Sequence, residues 1–465
     1  MVSKAEDFNE WYNEVVERAG LTDKRYPIKG MNVWTPWGWS AITNADALMR
    51  REMARTGHKE VYFPLLVPES EFMKEAEHIR GFEQEVYWVT RAGKNELDIP
   101  MCLRPTSETA MYPIFSLWIR SHADLPLKVF QICSVFRYDT KQTRTFLRVR
   151  EIHFFEAHTC HADAEDAERQ IREDLSIMET LGRELCVPYL ILRRPEWDKF
   201  PGAWYSLAAD AWTPGLRTLQ VATFHHYRDN FAKAYNVTYE TPDGGREFAH
   251  QTTYGMSERL LGAIVAIHGD DKGAVLPPTI APTQVVIVPI PEKGRQDVIL
   301  SEARTLAAEL REHFRVEIDE RDVRPGAKFY EWEAKGVPLR IELGPRDLAA
   351  GVVTAARRDA EGRTTIPRSD VVSQVRDLIR RIQEDMYARA EGALRSAIVD
   401  IAAPEEARDA VNRIGWCGNE DCGHQVEADT GMSLLGSPYP PEAYEGTCIV
   451  CGKEAATAAF LAKTY

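Results

Sequence analysis

The pattern of hydrophobic and polar positions changes along the chain at a proline-rich run, residues 276–282. Proline lacks a backbone N–H and stops both helices and strands, so the three prolines of this run mark a domain boundary. Before the run, helical and strand-like spacings are mixed. Residues 47–54, for example, predict a helix with Asn44 as its N-cap and Gly57 at its end. We therefore expect a mixed first domain over residues 1–282.

Beyond the boundary the pattern becomes regular. A strand of buried type at 285–290 is followed by an amphipathic helix around 300–313 and by an alternating strand at 314–318. This strand–helix–strand rhythm predicts a small α/β domain over residues 283–390. The remaining residues, 391–465, carry a cluster of cysteines and form a third predicted domain.

Two strand-like runs of the first domain, 127–137 and 146–152, are joined by polar residues and predict an antiparallel pair with a long hairpin. A strand places alternate side chains on one face, so Arg148 and Arg150 should point the same way. The spacing of these arginines alone favours a surface ladder of ion pairs. The alternative is a phosphate site, because planar guanidinium groups match phosphate oxygens in pairs.

The composition limits the classes of protein to which the chain can belong. Apolar residues make up 44% of the 465 residues and charged residues 28%, as in ordinary globular proteins. Because no apolar stretch approaches the roughly 20 residues of a membrane helix and the N-terminus is polar and acidic, we expect a cytoplasmic protein without a membrane partner. The net charge of −14 argues against a non-specific coat for nucleic acid, while a local basic face would still permit an RNA partner.

Four of the eight cysteines cluster near the end of the chain, in the spacings Cys417-x4-Cys422 and Cys448-x2-Cys451. Paired short spacings favour a tetrahedral zinc site with four thiolate ligands. Unligated cysteines and two disulfides are the alternatives, and His424 is a possible substitute ligand. No general base stands beside these cysteines in the sequence, so the predicted Zn²⁺ is structural.

Seven strings occur in order along the chain: RPTSET (104–109), FRYD (136–139), TRTFLRVRE (143–151), FEAHT (155–159), QTTYGMSER (251–259), KGVPLRIE (335–342) and GPRD (344–347). In this order they resemble the prolyl class II aminoacyl-tRNA synthetases of the archaeal and eukaryotic type. No single string is specific, but together they span nearly the whole chain.

The resemblance implies an α+β fold. It comprises an antiparallel sheet flanked by helices for the catalytic domain, an α/β anticodon-binding domain and a small zinc-binding C-terminal domain. It also implies a homodimer, with Pro64 at the interface. The implied activity is a proline–tRNA ligase that activates L-proline with ATP, with Mg²⁺, and transfers it to tRNA(Pro), forming AMP and diphosphate. About ninety residues separate Glu156 from Gln251, which leaves no room for an in-chain editing domain.

The resemblance also assigns residues, with Arg137 and Arg259 as the catalytic pair. Arg137 should contact the α-phosphate and the attacking carboxylate, and Glu108 should be the counter-charge of the amino-acid nitrogen. The implied amino-acid-binding residues are Thr106, Glu108, Arg137, Phe154, Glu156, His158, Ala222, Thr223 and His225. The implied ATP-binding residues are Arg137, Asp139, Arg148, Gln220, Thr223, Ser257 and Arg259.

Some positions depart from the family pattern. Asp139 replaces a glutamate, Thr145 replaces a proline, and Ala222 and Arg228 stand where glycine is usual. A methyl group at 222 would narrow the pocket, exclude an inhibitor or suit another amino acid. A small apolar pocket separates near-isosteres weakly, so cysteine or alanine would also be activated.

Two other functions stay open at this point. A synthetase-derived paralogue would activate proline or an analogue for a non-tRNA acceptor, or confer resistance to an inhibitor. A non-catalytic regulatory module would only sense tRNA or an amino acid. Loss of Arg137 or Arg259 would favour such a module, and both arginines are present.

Overall fold

The structure is a computed structural model that describes residues 2–74, 85–139, 143–290, 292 and 294–465. The α-helices of these ranges are α1 Phe8–Arg18, α2 Pro36–Arg55, α3 Glu69–Phe72, α4 Glu108–Trp118, α5 Ala164–Glu184, α6 Asn230–Tyr235, α7 Arg259–His268, α8 Gln296–Arg311, α9 Pro325–Lys335, α10 Pro345–Ala350, α11 Val371–Ala397 and α12 Glu420–Thr430.

The strands of the first domain are β1 Thr22–Asp23, β2 Val33–Trp34, β3 Lys59–Glu60, β4 Leu66–Pro68, β5 Tyr87–Ala92, β6 Asn95–Leu103, β7 Leu127–Phe136, β8 Glu151–His161, β9 Leu190–Arg193, β10 Tyr205–Thr213, β11 Arg217–Arg228, β12 Thr238–Glu240, β13 Arg246–Phe248 and β14 His250–Ser257. Those that follow are β15 Val285–Pro289, β16 Val316–Ile318, β17 Leu339–Leu343, β18 Val352–Arg357, β19 Thr364–Pro367, β20 Ile398–Asp400, β21 Val411–Trp416, β22 Ser433–Pro438 and β23 Thr457–Ala462.

The large sheet has eleven strands among the described residues, in the order β20-β21-β23-β22-β9-β10-β11-β14-β8-β7-β3. Its pairs are antiparallel except at the two edges, where β20 pairs with β21 and β3 with β7 in parallel. This confirms the expected antiparallel sheet flanked by helices. The last strands of the chain extend the same sheet, because β22 pairs with β9 through Ser437 opposite Arg193.

Alternation along β8 sets the two faces of this sheet. Phe155 and Ala157 point into the main core, where Phe155 packs against Phe130 and Tyr254 at ring distances of 5.9 and 5.4 Å. Side chains two residues apart share a face, so the intervening residues 154, 156 and 158 lie on the opposite side. One face of the sheet is therefore committed to the core under the helices and the other is available for a site.

The second predicted strand of the hairpin was wrong over residues 146–150. β7 and β8 do form the predicted antiparallel pair, but β8 begins only at Glu151. Phe146 has a φ of +63° and is buried, and the Arg150 N–H donates to the Gly30 carbonyl at 2.8 Å. Burial of the apolar residues in a turn thus outweighs strand alternation, and Arg148 and Arg150 do not share a strand face.

The predicted start of the second helix was also wrong. α2 begins eight residues before Asn44, and its N-cap is Thr35, whose Oγ1 accepts the Gly38 N–H at 3.0 Å. Pro36 follows at the first helical position, where its missing N–H is of no consequence. Asn44 lies inside the helix and donates its Nδ2 to the Ile280 carbonyl at 3.0 Å.

A second sheet follows the proline-rich run, with the strand order β16-β15-β17-β18-β19. β15 pairs in parallel with β16 and β17, in keeping with the strand–helix–strand rhythm of the sequence. The long helix α11 packs on this sheet and runs to Ala397, so the predicted boundary at 390 lies inside a helix. Within the described ranges, no helix combines the length and the apolar character needed to cross a membrane.

Candidate active site

A cleft of about 320 Å³ opens on the sheet face opposite the core. It lies over the middle strands β8, β10, β11 and β14 and is closed at one end by the turn that precedes β8. Twelve of the residues assigned from the sequence line it: Thr106, Glu108, Arg137, Asp139, Arg148, Phe154, Gln220, Ala222, Thr223, His225, Ser257 and Arg259. Residues from distant parts of the chain are therefore brought to one site.

Arg259, the first residue of α7, lies near the other two arginines of the cleft. Its Nε donates to the Leu147 carbonyl at 2.9 Å, which fixes the guanidinium at the cleft wall. Burial, together with the nearby charges of Arg137 and Arg148, lowers the pKa of Arg259 to about 10, although Glu258 and Asp139 act in the opposite direction. Positive charges held close together repel one another and raise the free energy of the folded protein. Such a group is typical of a site that binds an anion, for example a phosphate group.

The other two arginines are held by different means. The Arg137 Nε donates to the Pro105 carbonyl at 3.0 Å, and its guanidinium lies 5.9 Å from the centre of the Phe154 ring. Arg148 pairs with Asp139 at 3.0 Å. The shorter Asp139, where the family pattern has a glutamate, still reaches its arginine.

A carboxylate lies in the same cleft. Glu108, at the start of α4, is 1% exposed, and its Oε2 accepts a hydrogen bond of 2.5 Å from Thr106. Its Oε1 accepts one of 3.0 Å from the Tyr227 hydroxyl. A fixed carboxylate beside the arginines offers complementary charge to a zwitterion, with its ammonium group at Glu108 and its carboxylate at Arg137.

Glu156 and His158 lie beneath the cleft and do not line it. Both are fully buried and pair through Glu156 Oε2 and His158 Nε2 at 3.0 Å. Glu156 also accepts hydrogen bonds from the Ser107 backbone N–H at 3.2 Å and from Gln131 at 2.8 Å. The pair therefore holds the turn that carries Thr106 and Glu108.

Burial opposes ionisation of this pair, but the partners outweigh it. The pKa of Glu156 falls to about 2, because the hydrogen bond and charge of His158, with bonds from Ser107 and Gln131, exceed the effect of burial. The pKa of His158 is raised, because its bond to Glu156 exceeds the effect of burial. Glu156 is consequently ionised at neutral pH, and its charge favours the protonated form of His158.

His225 forms a neutral wall of the cleft. Its Nδ1 is 2.8 Å from Ser206 Oγ and its ring lies 4.5 Å from that of Phe200. Burial lowers the pKa of His225 to about 3, helped by the charges of His158 and Arg137. A neutral imidazole among aromatic rings suits an apolar part of a ligand.

Ala222 and Arg228, which both stand where the family pattern has glycine, differ in their position relative to the cleft. Ala222 is 2% exposed on β11 and lines the cleft, so its methyl group does take up space there. Arg228 has a φ of +50°, in the left-handed region that favours glycine. Its guanidinium lies 3.5 Å from the centre of the Trp204 ring, outside the cleft.

Sequence reasoning missed the partners that hold the assigned residues. Arg194 lines the cleft and makes two hydrogen bonds of 2.8 Å to Asp210 and one of 2.6 Å to the Leu435 carbonyl. The other missed residues are Ser107, Gln131, Ser206, Phe200 and Tyr227. They come from separate strands and loops, and apart from Ser107, which lies in the string 104–109, no local spacing signals them.

The four clustered cysteines meet as expected. Their Sγ atoms all lie within 4.8 Å of one another, two from the end of β21 and the start of α12 and two from the loop before β23. His424 is not in this group, since its ring packs on that of Trp197 at 4.4 Å. Four convergent thiols without a disulfide are compatible with a closed zinc site.

Comparison with known proteins agrees with this geometry. Three family models match the chain: the class II tRNA synthetase core domain over residues 87–268, an anticodon-binding domain over 284–378 and the prolyl-tRNA synthetase C-terminal domain over 404–465. The proline–tRNA ligase of Thermococcus kodakarensis is 57% identical over 473 aligned residues, which cover 99% of this chain and 98% of the relative.

The chain belongs to the proline–tRNA ligase family. The family member of Thermoplasma acidophilum is 49% identical over 99% of both chains. A solved structure of Giardia lamblia prolyl-tRNA synthetase in complex with prolyl-adenylate superposes with a TM-score of 0.96, at 35% identity and over 100% of this chain and 99% of that one. The matches of this family fall within the three predicted parts of the chain, and no editing domain is among the matched models.

The Glu156–His158 pair predicts a specific acid sensitivity. The folded pKa of Glu156, about 2, lies below its ordinary value of 4.5, so its stabilising contribution is present above pH 4.5 and is lost as the pH falls towards 2. We expect the wild type to lose about 2 kcal/mol more unfolding free energy between pH 5 and pH 3 than Glu156→Gln does. Urea denaturation at the two pH values measures this difference.

The matched control is Glu312→Gln, at an exposed position. It should keep the full pH dependence of the wild type. Equal pH dependence in the wild type and Glu156→Gln would contradict the assignment of the charged pair.

Proposed function

We propose that this protein activates L-proline with ATP to prolyl-adenylate and transfers the prolyl group to tRNA(Pro). The observation that carries the proposal is the meeting of Arg137, Arg148 and Arg259 with the carboxylate of Glu108 in one cleft. This arrangement has complementary charges for three anionic phosphates and for a zwitterionic amino acid. The relatives named as proline–tRNA ligases support the same reaction.

Activation requires in-line attack of the proline carboxylate oxygen on the α-phosphorus of ATP, with diphosphate as the leaving group. The reaction needs little proton transfer, so positioning and neutralisation of charge provide the catalysis. Arg137 would hold the attacking carboxylate and the α-phosphate together, while Arg148 and Arg259 would hold the outer phosphates and the adenine. Bound Mg²⁺ would supply further positive charge at the phosphates.

Transfer follows in the same cleft. A terminal ribose hydroxyl of tRNA attacks the prolyl carbonyl carbon, the bond to phosphate breaks, and AMP leaves. Gln220 and Thr223 on β11 line the cleft and would hold the nucleotide and the amino acid during this step. Ser257 would contact ATP near its neighbour Arg259, whose backbone N–H donates to Ser257 Oγ at 3.3 Å.

The amino-acid end of the cleft favours a compact secondary amine. Glu108 and Thr106 would hold the cationic nitrogen, with the ring of proline against Phe154 and the neutral His225. At Gly255 an added Cβ would lie 3.2 Å from the Phe154 ring and 3.4 Å from Thr223 Oγ1, so this pocket has no spare width. Glu156 and His158 would act by holding the turn beneath.

Amino-acid-dependent exchange between ATP and diphosphate, followed by charging of tRNA(Pro), tests the proposal. We expect exchange with proline, weaker exchange with alanine and cysteine, and charging of tRNA(Pro). Exchange without charging would instead indicate a non-tRNA acceptor. A folded protein that binds ATP but shows no exchange with any amino acid would overturn the enzymatic proposal.

Substitution Arg137→Lys tests the phosphate assignment. Lysine keeps the charge but cannot bind two oxygens in parallel, so we expect kcat for exchange to fall about 100-fold or more. Arg380→Lys is the matched control, because Arg380 is exposed on α11 and pairs only with neighbouring acids among the described residues. A fall of less than about threefold for Arg137→Lys would contradict the role assigned to Arg137.

We also propose a structural Zn²⁺ held by Cys417, Cys422, Cys448 and Cys451. Bound zinc would link the end of β21 and the start of α12 to the loop before β23. We expect one zinc per chain by elemental analysis, and loss of that zinc with a lower melting temperature in Cys448→Ser. Cys160→Ser, which alters a buried cysteine elsewhere, should retain its zinc. Zinc-free wild-type protein of unchanged stability would contradict this site.

The proposed assembly is a homodimer in the cytoplasm, where tRNA is charged. An apolar surface surrounds the exposed Pro64, with Tyr62 76%, Leu117 62% and Trp118 46% exposed. Phe63 links this surface to Trp118, with the two rings 5.6 Å apart. Contiguous exposed apolar side chains of this kind are typical of protein interfaces.

A further inference from the structure

A second cavity, of about 240 Å³, lies behind the wall of the cleft. Phe146 and Glu258 contribute to both spaces and separate them. The cavity is otherwise formed largely by β2, the start of α2 and the start of β8, which contribute Trp34, Trp39, Glu151 and His153. None of these four residues lines the cleft, so the cavity is distinct from the proposed site of ATP and proline.

Aromatic rings form one side of the cavity. The ring of Trp34 lies 6.0 Å from that of Trp39, at an interplanar angle of 71°, and 5.0 Å from that of Phe146. The imidazole of His153 lies edge-on to both tryptophans, at 6.1 and 5.5 Å. Trp39 is 46% exposed, so part of this aromatic surface is open to a ligand from solvent. Aromatic faces arranged around a space attract cations.

The acidic side chains of the cavity can supply the complementary charge. Glu151 and Glu258 belong to its wall, and no lysine or arginine is among the described residues that line it. The Nε2 of His153, the remaining basic group of the lining, is paired with the carboxylate oxygens of Asp46 at 3.0 and 3.1 Å.

Glu258 provides an independent indication of a ligand. Its side chain is 3% exposed, and its Oε2 has no hydrogen-bond partner in the part of the chain that the structure describes. A buried carboxyl oxygen without a partner is costly and rarely kept. Burial raises the pKa of Glu258 to about 8, so its carboxyl group is largely protonated at neutral pH in the empty cavity. It becomes a counter-charge by releasing its proton when a cation binds.

We propose that this cavity binds a small organic cation, an ammonium group with apolar substituents. The cationic head would lie against Trp34 and Trp39, with Glu151 and Glu258 as counter-charges. The cavity volume suits a ligand of the size of choline. The binding of such a cation goes beyond the proposed aminoacylation and does not depend on it.

Titration of the full-length protein with choline chloride at constant ionic strength tests the proposal, with saturation-transfer NMR on the N-methyl protons as the readout. The matched neutral probe is 3,3-dimethyl-1-butanol, in which carbon replaces the charged nitrogen. We expect saturable choline binding at one site per chain and at least about threefold weaker binding of the neutral probe. Equal affinity for both probes, or no saturable binding of choline, would overturn the proposal.

Variants locate the bound cation. Trp39→Ala changes a partly exposed side chain and should weaken choline binding at least about threefold, and Glu258→Gln should weaken it as well. Trp88→Ala, at a tryptophan that is 41% exposed elsewhere, should leave binding unchanged. Glu108→Gln should also leave it unchanged, since Glu108 belongs only to the cleft.

Two outcomes of this series would overturn the assignment. Unchanged choline affinity in Trp39→Ala, with native circular dichroism, would exclude the aromatic wall. Loss of choline binding in Glu108→Gln would place the cation in the amino-acid end of the cleft instead. Neither outcome depends on whether the protein charges tRNA.

Discussion

Burial of charge on one face of the large sheet is the constraint on which the site depends. Charged groups buried beneath this face are costly unless the protein itself supplies their partners. Glu156 is held by His158, Arg194 by Asp210, and Arg104 by the carbonyls of Phe63 and Ser134. Once these groups are satisfied internally, the charges left facing the cleft are positioned before any substrate arrives, which is the condition for electrostatic catalysis.

A close packing contact links the part of the chain that carries the cysteine cluster to the cleft. Gly423 of α12 packs so closely on Trp197 that an added Cβ would lie 2.1 Å from its ring. Trp197 belongs to the segment 194–200, which also carries Arg194 and Phe200 in the wall of the cleft. The C-terminal part of the chain therefore supports a segment that contributes directly to the site. The four thiols thus belong to a region on which the wall of the cleft rests.

The sequence predicted the elements whose signal is local. The antiparallel pairing of β7 with β8 and the strand–helix–strand rhythm after residue 282 follow from alternation and helical spacing. The motif residues of the cleft were found because they occur in recognisable strings. The turn at 146–150 was missed, since Phe146 and Leu147 are buried against α7, which lies more than a hundred residues later. Glu156 and His158 were assigned to the amino-acid site from the family strings alone. Their position beneath the cleft and their hydrogen bonds to each other, Ser107 and Gln131 follow only from the packing of β8.

The pairing of β22 with β9 has a consequence for how this architecture can change during evolution. Modules that are exchanged between genes usually meet their neighbours through side-chain surfaces at flexible linkers. Here the last part of the chain is joined to the catalytic sheet by a backbone ladder, through Ser437 opposite Arg193 and Pro438 opposite Leu192. Its removal would leave β9 as an unprotected sheet edge, open to pairing with other chains. The C-terminal part and the catalytic sheet therefore form one structural unit, and a chain cut between them would expose a strand edge that favours aggregation.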